Sequence, residues 1–490
     1  MQLYTAAQTR ELDRLAIEEY GIPGIHLMSR AGQAAFLSLL QQWPQPERLH
    51  IFCGTGNNAG DGFVVAQLAQ ARGLPVTIYQ LGDAGRIKGD ALLARRFAER
   101  AGVEITPWNH TPELERGVIV DGLLGTGFSG EPSPPYAAAI AAIGASNLPV
   151  LALDIPSGLC ADSGAVTGAA VRADRSVTFI ARKRGMWTGA GPEYCGQIEY
   201  CDLEIPAEIF SRVKSQSALL SLEALLAELP RRRRDAHKGQ FGSVLVIGGD
   251  TGMGGAVLMA AEASARCGAG LVSAATRRQH VSALLARRPE VMARGVRNGR
   301  GLKQMLEAAS VVVAGPGLGQ SPWSEQLLHA AVASGKPLVV DADALNLLAQ
   351  GRVAPNTRRD NWILSPHPGE AARLLGSDVA SVQLDRFGAI TELQQRYGGV
   401  VVLKGAGSLI AGPDGQILLS RYGNPGMASG GMGDVLSGVL AGLLAQHLKP
   451  LTAACLGVCL HGRAAEMAAS RGERGLLATD LMEPLQNLLN

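Results

Sequence analysis

The sequence predicts two consecutive α/β domains, each with a parallel β-sheet covered by helices on both faces. Short apolar segments alternate with helical patterns along most of the chain, which is typical of such sheets. Glycine contributes 62 of the 490 residues and aromatic residues only 4%, which suits tight strand-to-helix turns and closely packed helices. The alternation is interrupted at residues 206–234 and then restarts. We therefore expect a domain boundary near residue 220.

Composition and charge argue against several classes of protein. Hydrophobic residues make up 47% of the chain, far more than a disordered protein carries. The formal net charge of +2 provides no general attraction to nucleic acid or to a membrane surface, so we expect neither as a partner. The basic run at 231–234 is interpreted as a solvated linker. The most apolar segment, 435–446, is too short to cross a bilayer.

The cysteines are scattered, and no two of them form a CxxC motif. Their odd number and irregular spacing favour neither a disulfide framework nor a zinc site. Residues 1–20 contain acidic side chains and no apolar core of signal-peptide length. We therefore expect a cytoplasmic protein. The seven cysteines are Cys53, Cys160, Cys195, Cys201, Cys267, Cys455 and Cys459.

The first half opens with two helices. Leu12, Leu15, Ala16 and Glu19 recur at helical spacing, and residues 25–40 predict a second helix. Strand and helix patterns then alternate. Strands are predicted at 48–53, 75–80, 117–124, 148–154 and 176–181, with a helix at 63–72.

A connector with one short amphipathic helix is predicted at 206–234, and the alternation then resumes. Strands are predicted at 242–247, 310–314, 337–340, 362–364 and 400–404. A long helix rich in small residues begins near Gly433.

Two glycine-rich loops follow strands in the first half. Residues 54–62, Gly-Thr-Gly-Asn-Asn-Ala-Gly-Asp-Gly, lie between a strand and a helix, where free backbone amides suit a phosphate. Residues 125–130, Gly-Thr-Gly-Phe-Ser-Gly, match GxGxxG after the next strand, although the segment that follows is rich in proline. Together the loops fit a ligand with a pyrophosphate. Alternatively, the first loop is an ordinary turn with Asp61 as the helix cap.

Oxygen-bearing side chains also stand at strand ends. Asn58, Asp121 and Ser157 would together form a weak-field site better suited to potassium than to a more highly charged metal. Asp154 ends a strand and precedes Ile-Pro-Ser-Gly. For Asp121 and Asp154, capping of turns is the alternative role.

These motifs resemble the NAD(P)HX epimerase domain over residues 1–215. The resemblance rests on Asn57-Asn-Ala-Gly-Asp61, Asp121-Gly-Leu-Leu-Gly-Thr-Gly127 and Asp154-Ile-Pro-Ser-Gly158. It implies a Rossmann-like, three-layer domain in which Asp154 is the catalytic acid/base and Asn58, Asp121 and Ser157 hold potassium. The implied contacts with the hydrated dinucleotide are Asn57, Asn58, Ala59, Gly60, Asp61, Gly125, Thr126, Gly127, Phe128, Ser129, Gly130, Glu131 and Asp154.

Glycine turns and polar residues likewise follow strands of the second half. Residues 248–255 lack the Lys-Ser/Thr ending of a P-loop, and 315–319 form another glycine turn. Asp341 and Asp343 follow one strand. His367 and Glu370 follow the next, where the histidine could contact a phosphate or a carbonyl; an ordinary hydrogen-bonded histidine is the alternative.

The strongest pattern of the second half is Lys404-Gly-Ala-Gly-Ser408 with a turn at 424–434 that ends in Gly-Gly-Met-Gly-Asp. Backbone amides at 430–433 would form an anion-binding nest at a helix start. Asp434 would lie in the first turn, where a carboxylate can accept a proton from an attacking hydroxyl. A simple helix cap is the alternative.

This half resembles the ribokinase-like superfamily and, within it, the ADP-dependent NAD(P)HX dehydratases. The supporting stretches lie at 237–242, 315–319, 341–345, 367–370 and 430–434, in a domain of residues 220–490. The resemblance implies magnesium and ADP as a co-substrate, with Asp434 as the catalytic base. The implied nucleotide contacts are Lys404, Gly405, Ala406, Gly407, Ser408 and Gly433, and the implied NAD(P)HX contacts are Ala256, Gly319, His367 and Asp434.

Together the two resemblances imply a bifunctional enzyme that repairs hydrated NADH and NADPH. The first domain would interconvert the two C6 epimers, and the second would dehydrate the S epimer at the expense of ADP. A homo-oligomer is expected. Two alternatives remain: a small-molecule kinase with an accessory domain, and a scaffold whose first domain only binds RNA or protein.

Overall fold

The computed structural model describes residues 1–109, 113–353 and 358–490. The chain divides into two compact units, one formed by residues 2–217 and the other by Met1 with residues 218–490. Each unit contains a largely parallel sheet with helices between successive strands, so the predicted α/β class is confirmed.

The first unit opens with helices and continues as alternating strands and helices. Its strands are β1 (Gln2–Leu3), β2 (Leu49–Cys53), β3 (Val76–Gln80), β4 (Glu104–Pro107), β5 (Val118–Gly122), β6 (Val150–Leu153), β7 (Arg175–Phe179) and β8 (Gln197–Cys201). Its helices are α1 (Ala6–Arg14), α2 (Gly24–Gln42), α3 (Asn57–Ala71), α4 (Gly89–Arg100), α5 (Pro134–Ser146), α6 (Gly191–Tyr194) and α7 (Ala207–Arg212), with a π-helical turn at Leu15–Glu19.

The sheet of this unit has the strand order β4-β3-β2-β5-β6-β7-β8, with every neighbouring pair parallel. From β2 the chain proceeds outward to β3 and β4. It then returns to β5 on the other side of β2. The order therefore reverses between β2 and β5, and such a switch point opens a crevice at the carboxyl ends of the strands.

The interior of this sheet explains why its strands are apolar runs rather than alternating patterns. Strands β2, β5 and β6 are buried along their whole length, because helices cover both faces. The edge strands β4 and β8 are partly exposed and carry polar residues, so the sequence pattern did not predict them.

The helix after the first glycine loop begins earlier than the sequence indicated. Helix α3 starts at Asn57 with Gly56 as its N-cap, whereas the apolar pattern placed its start at residue 63. Asp61 thus lies within the helix and is not its cap. The glycines at 60 and 62 tolerate helical backbone, and the surrounding unit supplies the packing that their low propensity lacks.

The second unit repeats the alternation. Its strands are β9 (Ser217–Leu219, at the boundary), β10 (Ser243–Ile247), β11 (Leu271–Thr276), β12 (Met292–Gly295), β13 (Val311–Ala314), β14 (Leu338–Val340), β15 (Trp362–Leu364), β16 (Val400–Leu403), β17 (Ser408–Ala411) and β18 (Ile417–Ser420). Its helices are α8 (Leu222–Ala227), α9 (Gly254–Arg266), α10 (Val281–Arg287), α11 (Lys303–Ala308), α12 (Pro322–Ala333), α13 (Ala342–Ala349), α14 (Pro368–Leu375), α15 (Val379–Leu384), α16 (Arg386–Tyr397), α17 (Met432–Ala445), α18 (Pro450–Ala468) and α19 (Met482–Leu488).

Strands β10 to β18 lie in the order β18-β17-β16-β15-β14-β13-β10-β11-β12. In this order, every neighbouring pair from β16 across to β12 is parallel. The order reverses between β10 and β13. At the other edge, β16, β17 and β18 form an antiparallel meander, which the purely parallel prediction missed. The short loops between these strands leave no room for a crossover helix.

Helices α9, α17 and α18 form the centre of the core in this unit. They pack with many alanine, valine and leucine side chains that are almost completely buried. Ser264 on α9 donates to the carbonyl of Gly438 on α17 at 3.0 Å, which ties the two helices together. In the part of the chain that the structure describes, no helix is both long and apolar enough to cross a membrane.

The division into units generates the first prediction. Fragments 1–217 and 218–490 should each fold alone, because each contains its own sheet and its own buried clusters. Circular dichroism and thermal unfolding of each purified fragment would check this. Two fragments that are both insoluble or unfolded would contradict the prediction.

Candidate active sites

In the first unit, the two glycine loops meet at the switch point. The amide of Gly54 donates to the carbonyl of Gly122 at 3.3 Å, and a side chain at Gly54 would collide with the carbonyl of Leu123. Only glycine therefore allows the backbones after β2 and β5 to approach so closely. The side chain of Asn58, in the first turn of α3, packs directly against Gly125.

These loops line a cavity of about 670 Å³ at the carboxyl ends of the strands. That volume is typical of a site for a small molecule or cofactor. The residues predicted from the sequence that line it are Asn57, Asn58, Asp61, Gly125, Thr126, Gly127, Phe128, Ser129 and Asp154. Ala59, Gly60, Gly130 and Glu131 lie outside the lining. Helices α1 and α2 close another side of the cavity and contribute Arg10, Asp13 and Met28.

A buried ion pair lies in the wall of this cavity. The ammonium of Lys183 is fully buried and contacts the carboxylate of Asp154, which is 15% exposed. Lys183 also donates to Thr178 Oγ1 at 3.0 Å and to the carbonyl of Phe179 at 2.8 Å. Asp154 adopts a left-handed backbone conformation (φ 61°), which is rare for a residue other than glycine and recurs at functional sites.

Sequence reasoning missed Lys183. It follows β7 by four residues, so it stands at the same edge of the sheet as Asp154, which follows β6 directly. The signal in the sequence that could have revealed Lys183 was its position shortly after a predicted strand. Removal of one member of a buried pair is typically destabilising by about 3–5 kcal/mol, because the remaining charge is left buried without its partner.

Two further carboxyl groups face the same space. Burial, followed by the charges of Asp154 and Asp13, raises the pKa of Asp61 well above its usual range. Burial, followed by Asp154 and Asp90, raises the pKa of Asp13. Lys183 opposes both shifts but already contacts Asp154. The cavity therefore combines one ion-paired carboxylate with carboxyl groups that favour the protonated form.

The structure also brings Asn58, Asp121 and Ser157 together. Asp121 accepts from the hydroxyl of Ser157 at 2.6 Å and from its amide at 2.8 Å. Asn58 donates to the carbonyl of Leu124 at 3.0 Å, and the amide of Leu124 donates to the Ser157 hydroxyl at 2.9 Å. The three side chains therefore surround one backbone segment, although they come from three different strand ends.

One atom in this group lacks a partner. The side-chain oxygen of Asn58 is buried and accepts no hydrogen bond from the residues that the structure describes. Burial raises the pKa of the Asp121 carboxyl to about 6, and the hydrogen bonds from Ser157 offset part of that effect. A buried oxygen without a partner beside a desolvated carboxylate fits a monovalent cation.

In the second unit, the site residues follow consecutive strands of the sheet. The loops after β10 and β13 meet, since the amide of Asp250 donates to the carbonyl of Gly317 at 2.7 Å. The amide of Gly319 donates to the carboxylate of Asp343 at 2.8 Å. Asp341, His367 and Lys404 follow β14, β15 and β16. Ala256 lies in the first turn of α9, which begins at the end of the β10 loop.

Lys404 is the centre of the charge network in this unit. Its ammonium lies 2.7 Å from Asp341 Oδ1 and 3.7 Å from Glu370 Oε2. Burial disfavours its charge, but the two carboxylates outweigh burial and raise the pKa of Lys404. Ser437 on α17 donates to the second oxygen of Asp341 at 2.7 Å. Lys404 was predicted as a nucleotide contact only, and its pairing with Asp341 was not foreseen.

His367 has a structural role that the sequence interpretation assigned only as an alternative. Its Nδ1 accepts from the amide of Gly369 at 2.9 Å, so the ring caps the start of α14, and Glu370 completes the capping box. Burial, followed by the charge of Lys404, lowers the pKa of His367, and this favours the neutral acceptor. The ring is about half exposed, so its other edge stays accessible.

Asp434 lies in the first turn of α17, as predicted. Gly431, with φ 92°, is the N-cap of this helix in a left-handed conformation, which turns the glycine-rich segment into the helix start. Burial, followed by the charge of Asp341, raises the pKa of Asp434 to about 7, although Lys404 acts in the opposite direction. A carboxyl that titrates near neutrality beside free helix amides suits proton transfer at a phosphate.

The predicted nucleotide loop connects β16 and β17. Gly433 faces the Lys404 ammonium, so the loop and the start of α17 lie side by side. Behind the loop, the fully buried guanidinium of Arg386 donates to the carbonyls of Leu403 and Lys404, each at 3.3 Å. Arg386 is a second group that the sequence did not reveal, because it lies on α16, outside any motif.

Together these sites define a chain of two α/β units, each with a polar site at the carboxyl ends of its strands. The family of YjeF-related protein N-termini matches residues 24–185, and the NAD(P)H-hydrate dehydratase family matches residues 244–487. The bifunctional NAD(P)H-hydrate repair enzyme Nnr of Coxiella burnetii is 51% identical over 100% of this chain and 99% of its own length. The Escherichia coli enzyme of the same name is 43% identical over 100% of this chain and 94% of its own. The chain belongs to the bifunctional NAD(P)H-hydrate repair enzymes.

A solved structure shares the fold of the second unit. A ribokinase-like superfamily protein from Enterococcus faecalis is 31% identical, with a TM-score of 0.52, over 56% of this chain and 95% of its own. The predicted ribokinase-like fold of the second half is therefore confirmed.

The cation site generates the second prediction. Asp121→Ala should lower epimerase activity or substrate affinity, because it removes the only carboxylate among the three proposed ligands. Dehydration of the S epimer should be unchanged. Asp174→Ala is the matched control, since the Asp174 carboxylate accepts from the amide of Val150 and does not line the cavity.

Activity and substrate binding would be measured in potassium, in sodium and without either ion. The wild type and the control should depend on potassium, and Asp121→Ala should not. Equal results in all three buffers for the wild type would show that the site is wrongly assigned.

Proposed function

We propose that the first unit interconverts the R and S epimers of NADHX and NADPHX, and that the second unit dehydrates the S epimer with ADP, giving NAD(P)H, AMP and phosphate. The boundary of these activities is placed between residues 215 and 220. The proposal is supported by family membership and by one site at the strand ends of each unit. The observation that carries it is the Asp434 carboxyl, whose pKa is raised to about 7 at the glycine-rich start of α17.

The two reactions complement each other. Hydration of the nicotinamide ring adds water across a double bond and creates a stereocentre at C6 with either the R or the S configuration. A stereospecific dehydratase repairs only one of these, so an epimerase on the same chain makes the other available.

For dehydration, the leaving group must be improved, because hydroxide leaves poorly at neutral pH. Asp434 accepts the proton of the C6 hydroxyl while that oxygen attacks the terminal phosphoryl group of ADP. The lone pair of the ring nitrogen then expels the phosphate and forms a C6=N bond, and loss of the C5 proton gives the C5=C6 double bond of NAD(P)H. Amides at the start of α17 and the Lys404 ammonium stabilise the charge on the phosphoryl group. Gly405, Ala406, Gly407, Ser408 and Gly433 hold the nucleotide, while Ala256, Gly319 and His367 contact the hydrated cofactor.

Magnesium fits the charge of this site. Asp341, Asp343 and Glu370 all raise the pKa of Asp434, so negative charge is in excess there. We propose that the phosphates of the nucleotide would hold magnesium together with the carboxylate of Asp343, and that the ion would offset the phosphate charge. No group of three or more His, Cys, Asp or Glu side chains in the described part of the chain forms a metal site by itself.

In the first unit we propose that Asn57 to Asp61 and Gly125 to Glu131 bind the dinucleotide. Potassium at Asn58, Asp121 and Ser157 would order the two loops, because its ligands lie at the ends of three different strands. Asp154 is the catalytic carboxylate. We also propose a cytoplasmic, homo-oligomeric enzyme. The cysteines support the location, since all seven are free.

A small-molecule kinase is the second candidate, since the second unit has a ribokinase-like fold. A kinase and a dehydratase differ in their product, because a kinase accumulates a stable phosphorylated compound and the dehydratase releases phosphate. Hydrated NADH would be mixed with the protein, with ADP and with ATP. Recovery of the reduced-nicotinamide absorbance supports the dehydratase.

The third prediction concerns Asp434. Asp434→Asn keeps the size of the side chain but removes the basic oxygen, so dehydration should fall by about 10²–10⁴-fold. Nucleotide binding and thermal stability should change little. In the wild type, the rate should rise as the pH increases through about 7, because the base must be ionised.

Asp378→Asn is the matched control, because Asp378 caps α15 in the same unit, away from the site. It should keep both the rate and the pH profile. If Asp434→Asn dehydrates the S epimer as fast as the wild type, Asp434 has only a structural role at the helix start.

A further inference from the structure

The carboxyl groups of the first cavity have two different surroundings. Asp154 accepts from the ammonium of Lys183 and from the amide of Phe179 at 3.1 Å, and the hydroxyl of Thr178 lies 3.4 Å away. All these groups stabilise a carboxylate. A carboxylate held in this way can stabilise positive charge or accept a proton, but it has no proton to donate.

Asp61 has the opposite environment. Asp61 is 9% exposed and lines the cavity. Its carboxyl group makes no hydrogen bond to another residue in the described part of the chain. The groups that act on it are Asp13 on α1, Asp154 after β6 and Lys183 after β7, while Asp90 and Arg10 also line the cavity. Burial and the two neighbouring carboxyl groups raise its pKa, so the surroundings favour the protonated form of Asp61.

We infer that Lys183 is a positioning residue that holds Asp154 as the carboxylate of the epimerase site, and that Asp61 is the group that protonates the departing oxygen. This inference rests on the proposed epimerase activity and deepens it. Asp154 then acts as a carboxylate and is not the proton donor.

Asp61 gives its proton to the C6 oxygen, the C6–O bond breaks, and the oxygen leaves as water. The lone pair of the ring nitrogen forms the C6=N bond, and the Asp154 carboxylate stabilises the resulting positive charge. Water then adds to the other face of C6, and its proton returns to Asp61. No oxidant, reductant or additional reactant is needed.

The full-length protein permits a clean assay. Interconversion of the two epimers is followed by chromatography without ADP, and dehydration of the S epimer with ADP serves as an internal control for the second unit. Asp61→Asn should lower kcat for epimerisation by about 10²–10⁴-fold, with KM close to the wild-type value.

The pH profile identifies the acid. Wild-type epimerisation should decline as the pH rises through the pKa of Asp61, because the protonated form is required. The residual activity of Asp61→Asn should lack this decline. Asp13→Asn is the matched comparison, since burial raises the pKa of Asp13 as well. If Asp13→Asn, rather than Asp61→Asn, abolishes the decline, the assignment of Asp61 is overturned.

Lys183 is tested by chemical rescue. Lys183→Ala should reduce kcat, and ethylammonium should restore part of the activity because it supplies the missing cation through the cavity. A neutral alcohol of similar size should not. Rescue by both compounds, or by neither in a variant that thermal unfolding shows to be folded, would indicate a role in packing alone and overturn the inference.

The outcomes also separate this inference from the proposed function. A wild-type protein that does not accelerate epimerisation overturns both. An active wild type with equally active Asp61→Asn and Lys183→Ala variants overturns only the inference, and leaves the epimerase assignment intact.

Discussion

Both sites depend on one constraint, which is that parallel strands present their carboxyl ends at the same edge of a sheet. In the first unit, the segments after β2, β5, β6 and β7 supply the glycine loops, Asp154 and Lys183. In the second unit, the segments after β10 and after β13 to β16 supply the glycine turns, Asp341, His367 and Lys404. Residues more than a hundred positions apart thereby enter one site, and the order reversal in each sheet opens the space for a ligand.

Burial of charge gives the two sites a common electrostatic design. In each unit a lysine after one strand contacts an aspartate after another strand of the same sheet. Lys183 pairs with Asp154, and Lys404 pairs with Asp341. A second carboxyl group stands close to each pair, has no ion-pair partner among the described residues, and has a raised pKa. The pair thus supplies fixed charge, while the second carboxyl group, Asp61 or Asp434, is free to exchange a proton.

The same arrangement can serve opposite chemical purposes. In the first unit, a carboxyl group whose surroundings favour the protonated form can assist a departing oxygen. In the second, a carboxyl group that titrates near neutrality can accept a proton from an attacking oxygen, with the amides of α17 to stabilise the phosphoryl group. The fold provides the positions, and the local balance of burial and charge decides the direction of proton transfer.

The sequence by itself determined the α/β class, most of the buried strands and the glycine loops, because apolar runs and glycine patterns are local signals. It also indicated Asn58, Asp121, Ser157, Asp154 and Asp434, since each stands in a recognisable motif beside a strand or helix end. It did not reveal the edge strands, whose exposed faces weaken the apolar pattern, or the start of α3 at Asn57, where packing overrides glycine's low helix propensity. Only the tertiary structure decided that Lys183 pairs with Asp154, that Arg386 supports the loop after β16, and that Asp61 is buried without a partner. These facts depend on which strand ends and helices become neighbours, and no short stretch of sequence contains that information.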